Sequence, residues 1–286
     1  MSKFFDALEQ AAQERAQRER AYAGPSPAAR LLPPPALEPP SRGAEGLDEH
    51  LVSLLEPASF EAEQYRALRH VVEQLRKSAD LAIVAVSSPD AEDGKTTTAI
   101  NLAGALAQSP DARVLLVDAD LRGAALAGKL GLDDRDAVGL VDAVLHPTVA
   151  LDAVTRKLPH LNLAVVPAGR RTSTPYEILK SARVGELLAD ARKRYDYVVC
   201  DTPPLVSVPD CRVIGKWVDG FLIVVTAHRT TRKLLDEALH VTDPAKVVGL
   251  VFNADDRHLS RGSYASRYQA QRTGWWHRRE HSASDD

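Results

Sequence analysis

A consecutive glycine, lysine and threonine at positions 94–96 are the residues whose types and order most clearly indicate chemistry. A glycine lets the backbone approach a phosphate, and free N–H groups at the start of a helix point toward an anion. Lys95 is long enough to reach a β- or γ-phosphate, and the hydroxyl of Thr96 suits Mg²⁺. The sequence predicts a phosphate-binding loop of variant form, because Pro89 occupies the first glycine position of the G-x-x-x-x-G-K-[ST] pattern.

Three aspartates that follow apolar runs predict the acidic half of the same site. Asp118 and Asp120 follow the run at residues 114–117, and Asp201 follows the run at residues 197–200. The carboxyl ends of parallel strands meet at one edge of a sheet, where α/β proteins bind their ligands. An acid at the end of a strand, in a chain with a phosphate-binding loop, is a Walker B pattern and is placed to hold a Mg²⁺-bound water.

The elements that must position these residues alternate between apolar strands and helices. Strands are predicted at residues 82–86, 114–117, 161–166, 197–200, 221–225 and 247–252. Helices are predicted from residue 59, after residue 95, and at 139–145, 151–158, 175–194, 209–217 and 231–241. This alternation predicts an α/β fold, a doubly wound and mostly parallel sheet with helices on both faces.

Composition divides the chain into four predicted segments. Residues 1–23 are predicted as an amphipathic helix and residues 24–50 as a proline-rich linker. Residues 51–256 carry the predicted phosphate-binding domain, and residues 257–286 form a basic tail that contains tyrosine and tryptophan. By composition alone, that tail is compatible with a solvated segment and with a nucleic-acid arm.

Charge and cysteine usage exclude few functions. The formal net charge is −3, and the two cysteines, Cys200 and Cys211, stand in segments predicted to be buried. This is too few for a disulfide framework and fits a reducing cytoplasm. No apolar run approaches the roughly 18 residues that would span a bilayer, so we expect any membrane link to go through a partner.

Taken together, the motifs resemble the P-loop tyrosine autokinases of bacterial exopolysaccharide and capsule systems, which belong to the MinD/ParA-like superfamily. The resemblance covers about residues 51–253 and depends on the segments SSPDAEDGKT, VLLVDADLR and YDYVVCDTPP. Glu63, Arg66 and Arg69 also match that family's oligomerisation motif, E-x-x-R-x-x-R.

The resemblance implies ATP and Mg²⁺ as cofactors and assigns residues to each role. The implied catalytic residues are Lys95, Asp118, Asp120 and Asp201. The implied nucleotide-binding residues are Asp93, Gly94, Lys95, Thr96, Thr97 and Asn253, and the implied metal ligands are Thr96, Asp118 and Asp201. Within these sets Asp118 is the expected base toward a tyrosine hydroxyl, and Asn253 the expected adenine contact.

The resemblance also implies partners. Glu63, Arg66 and Arg69 would join copies of the chain into a homo-oligomer, expected to be a ring, and Tyr264 and Tyr268 would be the phosphoacceptors. A separate membrane polysaccharide co-polymerase and a protein-tyrosine phosphatase are the other implied partners, with no nucleic acid. The expected location is cytoplasmic and peripheral at the inner membrane, through that partner.

Two alternatives remain open from the sequence. One is an ATPase switch of the MinD/ParA type, a class that usually carries an extra lysine early in its P-loop, where residues 87–93 have none. The other is a nucleotide-binding scaffold with little kinase activity, because the tail offers only Tyr264 and Tyr268 as acceptors.

Overall fold

The computed structural model describes residues 46–132, 138–158 and 161–254, and seven strands in that part of the chain form one sheet. They are β1 (Ile83–Ser87), β2 (Val114–Asp118), β3 (Arg156–Lys157), β4 (Leu163–Val166), β5 (Tyr197–Asp201), β6 (Gly220–Thr226) and β7 (Val247–Asn253). Their order is β3-β4-β2-β5-β1-β6-β7. All neighbouring pairs are parallel except β3 with β4, which is antiparallel.

Helices connect the strands. They are α1 (Val52–Leu55), α2 (Phe60–Ala79), α3 (Lys95–Ala107), α4 (Leu126–Lys129), α5 (Leu140–Leu145), α6 (Leu151–Val154), α7 (Pro175–Lys180), α8 (Ala182–Arg194), α9 (Asp210–Ile214) and α10 (Arg232–Val241). A 3₁₀ turn at Pro244–Lys246 precedes β7. Within the described ranges, no helix has the length and apolarity needed to cross a membrane.

The sheet has a hydrophobic core on each face, because successive side chains of a strand point to opposite sides. On β1, Ile83 and Ala85 pack into one core, and Val84 and Val86 pack into the other. Helix α3 covers the second core, and α5, α7, α8 and α9 cover the first. The predicted doubly wound, mostly parallel sheet is therefore confirmed.

Helix α2 has the capping and the apolar face that its sequence predicts. Ser59 caps its first turn, where the Ser59 Oγ accepts a hydrogen bond from the Ala62 N–H at 3.1 Å. Val72 is fully buried, and Leu68 and Leu75 pack beside it against the core under α3. Burying this stripe holds α2 against α3 and the core that α3 covers, because most helical stability in proteins comes from packing of an apolar face.

Two local predictions are wrong. The helix predicted at residues 175–194 divides at Ser181, which has ψ 136° and caps α8 by accepting a hydrogen bond from the Arg183 N–H at 3.3 Å. The helical turn predicted at residues 151–158 ends at Val154, and β3 then pairs with the free edge of β4. In both places a hydrogen-bonding partner outweighs a short helical pattern. The segments predicted at residues 1–23 and 257–286 lie outside the described residues, as does the linker predicted at residues 24–50 up to residue 45.

Candidate functional site

The carboxyl ends of β1, β5 and β2 are neighbours, and they bring together the residues that the sequence predicts for chemistry. Asp118 ends β2 and Asp201 ends β5, and the two residues are paired in register across these adjacent parallel strands. Lys95 begins α3, after the loop that leaves β1, and β1 pairs with β5. Residues separated by more than a hundred positions in the sequence therefore line one edge of the sheet.

Lys95 and Asp120 form an ion pair inside this site. Lys95 Nζ lies 3.1 Å from Asp120 Oδ2, and the two side chains are 12% and 7% exposed. The other oxygen of this carboxylate, Oδ1, accepts a hydrogen bond from the Gly123 N–H at 3.0 Å. The Asp120 N–H donates in turn to Asp118 Oδ1 at 3.2 Å, so the turn after β2 orients both acids.

Three buried carboxylate oxygens of this site have no hydrogen-bond partner among the described residues. They are Asp118 Oδ2 and both oxygens of Asp201. Both residues are fully buried, and an unpaired buried carboxylate is costly unless it holds a proton or a cation. This arrangement fits a cation site, because oxygen ligands without other partners are what Mg²⁺ requires.

The pKa values of the two acids are raised for the same physical reason. Burial raises the pKa of Asp201 to about 7, and the nearby Thr96 hydroxyl and Lys95 ammonium oppose part of that rise. Thr96 approaches Asp201 without completing a hydrogen bond of normal geometry. Burial, followed by the charges of Asp201 and Asp120, raises the pKa of Asp118 well above its ordinary value. Without a cation, both acids therefore hold a proton up to a higher pH than an ordinary aspartate does.

Gly94 and Asn253 meet at the base of the phosphate-binding loop. Gly94 has φ 89°, and a Cβ placed on it would lie 2.1 Å from Asn253 Nδ2, so only glycine fits there. Asn253 Nδ2 donates to the Asp93 carbonyl at 3.0 Å, and Asn253 Oδ1 accepts from the Ala254 N–H at 2.9 Å. In this structure the amide of Asn253 therefore supports the loop from the end of β7.

Asp93 and Thr97 are the remaining residues predicted to bind nucleotide. The Asp93 carboxylate is buried and is occupied within the protein, since it accepts hydrogen bonds from Thr230 Oγ1 at 2.9 Å and from the Asp90 N–H at 3.2 Å. Thr97 lies half-buried in the first turn of α3, and its carbonyl accepts from Asn101 Nδ2 at 3.0 Å. The Asp93 side chain thus stabilises the shape of the loop. The group of Asp93 that remains to bind a phosphate is its backbone N–H.

Sequence reasoning missed several residues that hold the site together. Thr226 ends β6, Arg229 and Thr230 follow it, and all three contact the phosphate-binding loop. Arg122, after β2, donates to the fully buried carboxylate of Asp210 through Nε at 3.2 Å and Nη2 at 3.1 Å. These contacts join segments more than eighty residues apart and belong to no local motif. The only signal in the sequence was the position of each residue near the end of a predicted strand or helix.

The predicted oligomerisation residues lie on α2. Arg66 pairs with Glu63 on the same helix and also donates to the Pro57 carbonyl. Arg69 donates to Glu73 Oε1 at 2.6 Å and to the Ala105 carbonyl of α3 at 2.9 Å. Arg69 thus ties α2 to α3 within the chain, whereas Glu63 and Arg66 are the more exposed pair. Tyr264 and Tyr268 lie outside the described residues.

A parallel sheet with a Gly-Lys-Thr loop and two strand-end aspartates defines a P-loop nucleotide-binding protein. In agreement, residues 81–236 match the AAA domain family. The chain is 29% identical to the tyrosine-protein kinase YwqD of Bacillus subtilis, over 79% of this chain and 95% of the relative. It is 33% identical to the tyrosine-protein kinase ptk of Acinetobacter johnsonii, over 67% of this chain but only 26% of that longer relative.

Solved structures agree with this grouping. The BceF tyrosine kinase domain superposes with a TM-score of 0.63 and 30% identity, over 71% of this chain and 81% of that domain. The cell division ATPase MinD of Pyrococcus furiosus is more distant, with a TM-score of 0.50, 25% identity and coverage of 60% and 70%. The chain belongs to the AAA domain family and, within it, to the bacterial tyrosine-protein kinases.

Proposed function

We propose that the chain is an ATP- and Mg²⁺-dependent protein-tyrosine autokinase that regulates exopolysaccharide or capsule synthesis and export. The observation that carries this proposal is the set of three unpartnered carboxylate oxygens on Asp118 and Asp201, buried beside Lys95 and Thr96. Names of relatives such as YwqD support the choice of tyrosine as acceptor. Names such as "Succinoglycan biosynthesis transport protein ExoP" support the link to polysaccharide.

In this proposal Thr96, Asp118 and Asp201 hold Mg²⁺. The metal, when bound, neutralises phosphate charge and orients the transferred phosphoryl group. Lys95 and the backbone N–H groups of residues 93–97 bind the phosphates, and Lys95 then divides its charge between them and Asp120. Positioning and charge neutralisation supply most of the catalysis in phosphoryl transfer, and the protein contributes little covalent chemistry.

The acceptor needs a group that removes its proton. A tyrosine phenol has a pKa near 10 and is a poor nucleophile at neutral pH, so a carboxylate within hydrogen-bond reach speeds its attack. We assign that role to Asp118, the residue that the family resemblance implies for it, which ends β2 inside the site. Asp120 orients Asp118 through its backbone N–H and holds Lys95 through its side chain.

Tyr264 and Tyr268 are the proposed acceptors. One copy of the chain phosphorylates these tyrosines on a neighbouring copy in a ring. Glu63 and Arg66 are the proposed contact residues on α2, with Arg69 supporting them. A separate membrane co-polymerase would place this assembly at the inner membrane, and a tyrosine phosphatase would reverse the modification. Asn253 is proposed to contact the adenine in addition to supporting the loop.

The first test is the transfer itself. Incubation of the purified chain with Mg²⁺ and ATP should add phosphate to Tyr264 or Tyr268, measured by intact mass and peptide mapping. Lys95→Met should lower the rate at least about 100-fold, because the transferring charge loses a preorganised cation. Lys180→Met is the matched control, since Lys180 is exposed and lies over the Tyr176 ring.

The same measurement separates the alternatives. Phosphate on tyrosine in the control but not in Lys95→Met supports the kinase. Hydrolysis of ATP without phosphotyrosine would favour a MinD-type switch, which the distant structural likeness to MinD makes the second candidate. Nucleotide binding with neither product would favour a scaffold.

A further inference from the structure

The phosphate-binding loop is held from outside by side chains at the ends of β6 and β7. Arg229 Nη1 donates to the Glu92 carbonyl at 3.0 Å, and its Nη2 donates to the Ala91 carbonyl at 3.2 Å. Thr226 Oγ1 donates to the Asp93 carbonyl at 3.2 Å, where Asn253 Nδ2 also donates. The three consecutive carbonyls of residues 91–93 are therefore all held by side chains from outside the loop.

Fixing these carbonyls also fixes the N–H groups that an anion would use. In a planar trans peptide the C=O and the following N–H point in opposite directions. With the carbonyls of Ala91 and Glu92 held on Arg229, the N–H groups of Glu92 and Asp93 point away from Arg229. Backbone N–H groups presented together in this way form a concavity that suits phosphate.

Arg229 also pairs with the side-chain carboxylate of Glu92. The loop carries three carboxylates, Asp90, Glu92 and Asp93, in a segment where an anion must bind. Ser207 Oγ donates to Asp90 and Thr230 Oγ1 to Asp93, but the carboxylate of Glu92 pairs with a cation, Arg229 Nη2, at 3.1 Å. Glu92 also has φ 61°, a left-handed conformation that is unfavourable for a residue other than glycine. The backbone at this position is therefore strained and is stabilised by its partner.

We propose that Arg229 is a positioning residue of the nucleotide site, which holds residues 91–93 in their phosphate-binding shape and neutralises Glu92. It acts through the loop and touches no reacting atom. The proposal rests on the proposed function only in taking the loop to bind a nucleoside triphosphate. It predicts that Arg229 controls nucleotide affinity and has little influence on the rate of transfer once nucleotide is bound.

The test measures Mg²⁺–ADP binding by calorimetry, and the KM for ATP and kcat of autophosphorylation where phosphotyrosine forms. Arg229→Ala should raise Kd and KM about tenfold, the loss expected when charge-assisted hydrogen bonds are removed, with kcat within about twofold of wild type. Arg232→Ala, an exposed arginine three residues further on, is the matched control and should leave Kd unchanged. The Kd of Arg229→Lys should lie between those of wild type and Arg229→Ala. A lysine ammonium keeps the positive charge but cannot donate to two carbonyls with the geometry of a guanidinium.

Glu92→Gly provides the second arm of the test. A glycine removes both the strain and the charge, so Arg229→Ala should cost less affinity in the Glu92→Gly background than in wild type. A melting curve for each variant verifies that it is folded.

Any of three results would overturn the proposal. The Kd of Arg229→Ala could lie within about twofold of wild type, or its kcat could fall at an unchanged KM. Arg229→Ala could also cost the same affinity in the Glu92→Gly background as in wild type. Wild-type protein that binds Mg²⁺–ADP without forming phosphotyrosine would contradict the kinase while leaving the Arg229 test intact. Wild-type protein that binds no nucleotide would overturn both.

Discussion

At the scale of single residues, the site is built from groups that destabilise the protein on their own. Asp118 and Asp201 are buried side by side at the ends of adjacent strands, with three oxygens lacking partners among the described residues. Such an arrangement persists where function requires it, because a preorganised ligand set binds its cation without first having to rearrange. The ammonium of Lys95 offsets part of the negative charge of the acidic cluster by pairing with Asp120.

This gives a prediction for stability against pH. Burial raises the pKa of Asp201 from 3.8 to about 7, so between these values the folded protein keeps a proton that the unfolded chain has released. The resulting stabilisation is present at low pH and is lost as the pH rises through about 7. At pH 8 without metal, Asp201→Asn should therefore melt at least about 3 °C above wild type, and the difference should shrink toward pH 5.

Calorimetric melting curves measure this, with Asp196→Asn as the control. The pKa of Asp196 is lowered, chiefly by its hydrogen bond to Arg113, so its replacement should not raise the melting temperature at pH 8. Added Mg²⁺ should stabilise wild type more than Asp201→Asn. A melting temperature of Asp201→Asn at or below that of wild type at pH 8 would contradict the account.

At the scale of elements, α3 links the phosphate-binding loop to the short helix α1. Asn101, on α3, is fully buried, and its side-chain amide makes three hydrogen bonds. Its Oδ1 accepts from the Ser53 N–H at 2.8 Å, and its Nδ2 donates to the carbonyls of His50 at 2.9 Å and Thr97 at 3.0 Å. One amide therefore connects the first turn of α3 with the chain that precedes α2.

Removal of this amide should loosen α1. Asn101→Ala leaves a buried N–H and a carbonyl without their partner, which should lower the free energy of unfolding by about 2–3 kcal/mol. Gln108→Ala is the control, because Gln108 Nε2 donates to the Ser53 carbonyl at 3.1 Å from a partly exposed position, and its loss should cost about 1 kcal/mol or less. Urea unfolding measures both, and equal losses would contradict the assigned role of Asn101.

At the scale of the whole molecule, α2 presents one face to α3 and the core and another to the outside. Val72 is buried in that core, whereas Phe60 and Val71 are both 48% exposed. Glu63 and Arg66 pair on the outer part of the same helix. An exposed surface with apolar and paired charged residues suits contact with a second copy of the chain, as the proposed ring requires.

The oligomeric state tests this surface. Arg66→Ala should lower the assembly from an oligomer to a monomer or dimer, measured by light scattering, because the contact loses an arginine fork. Arg76→Ala on the same helix is the control, since Arg76 pairs with Asp80 at the far end. Arg69→Ala should chiefly lower stability, through its lost bond to the Ala105 carbonyl. An unchanged mass for Arg66→Ala would remove Arg66 from the interface.

Much of this protein was predictable from local pattern. The strands β1, β2 and β5 are short apolar runs, and each predicted segment lies within two residues of the observed one. Asp118 and Asp201 directly follow the apolar runs of β2 and β5, so the topological rule for parallel sheets was enough to predict that they meet. The break at Ser181 was missed because a serine inside a helical pattern is a cap only when the chain also bends there.

The residue types at 94–96, 118, 120 and 201, and the alternation of strands and helices, were enough to determine the fold class and the acidic and basic parts of the site. Only the tertiary structure decided that Arg229 and Asn253 hold the loop and that Thr230 bonds to the Asp93 carboxylate. It also decided that Arg69 bonds to α3. The physical reason is the separation along the chain of the residues that bond. Periodicity and motif spacing report on neighbours along the chain, whereas these hydrogen bonds join residues 36 to 160 positions apart, which only the packed fold brings into contact.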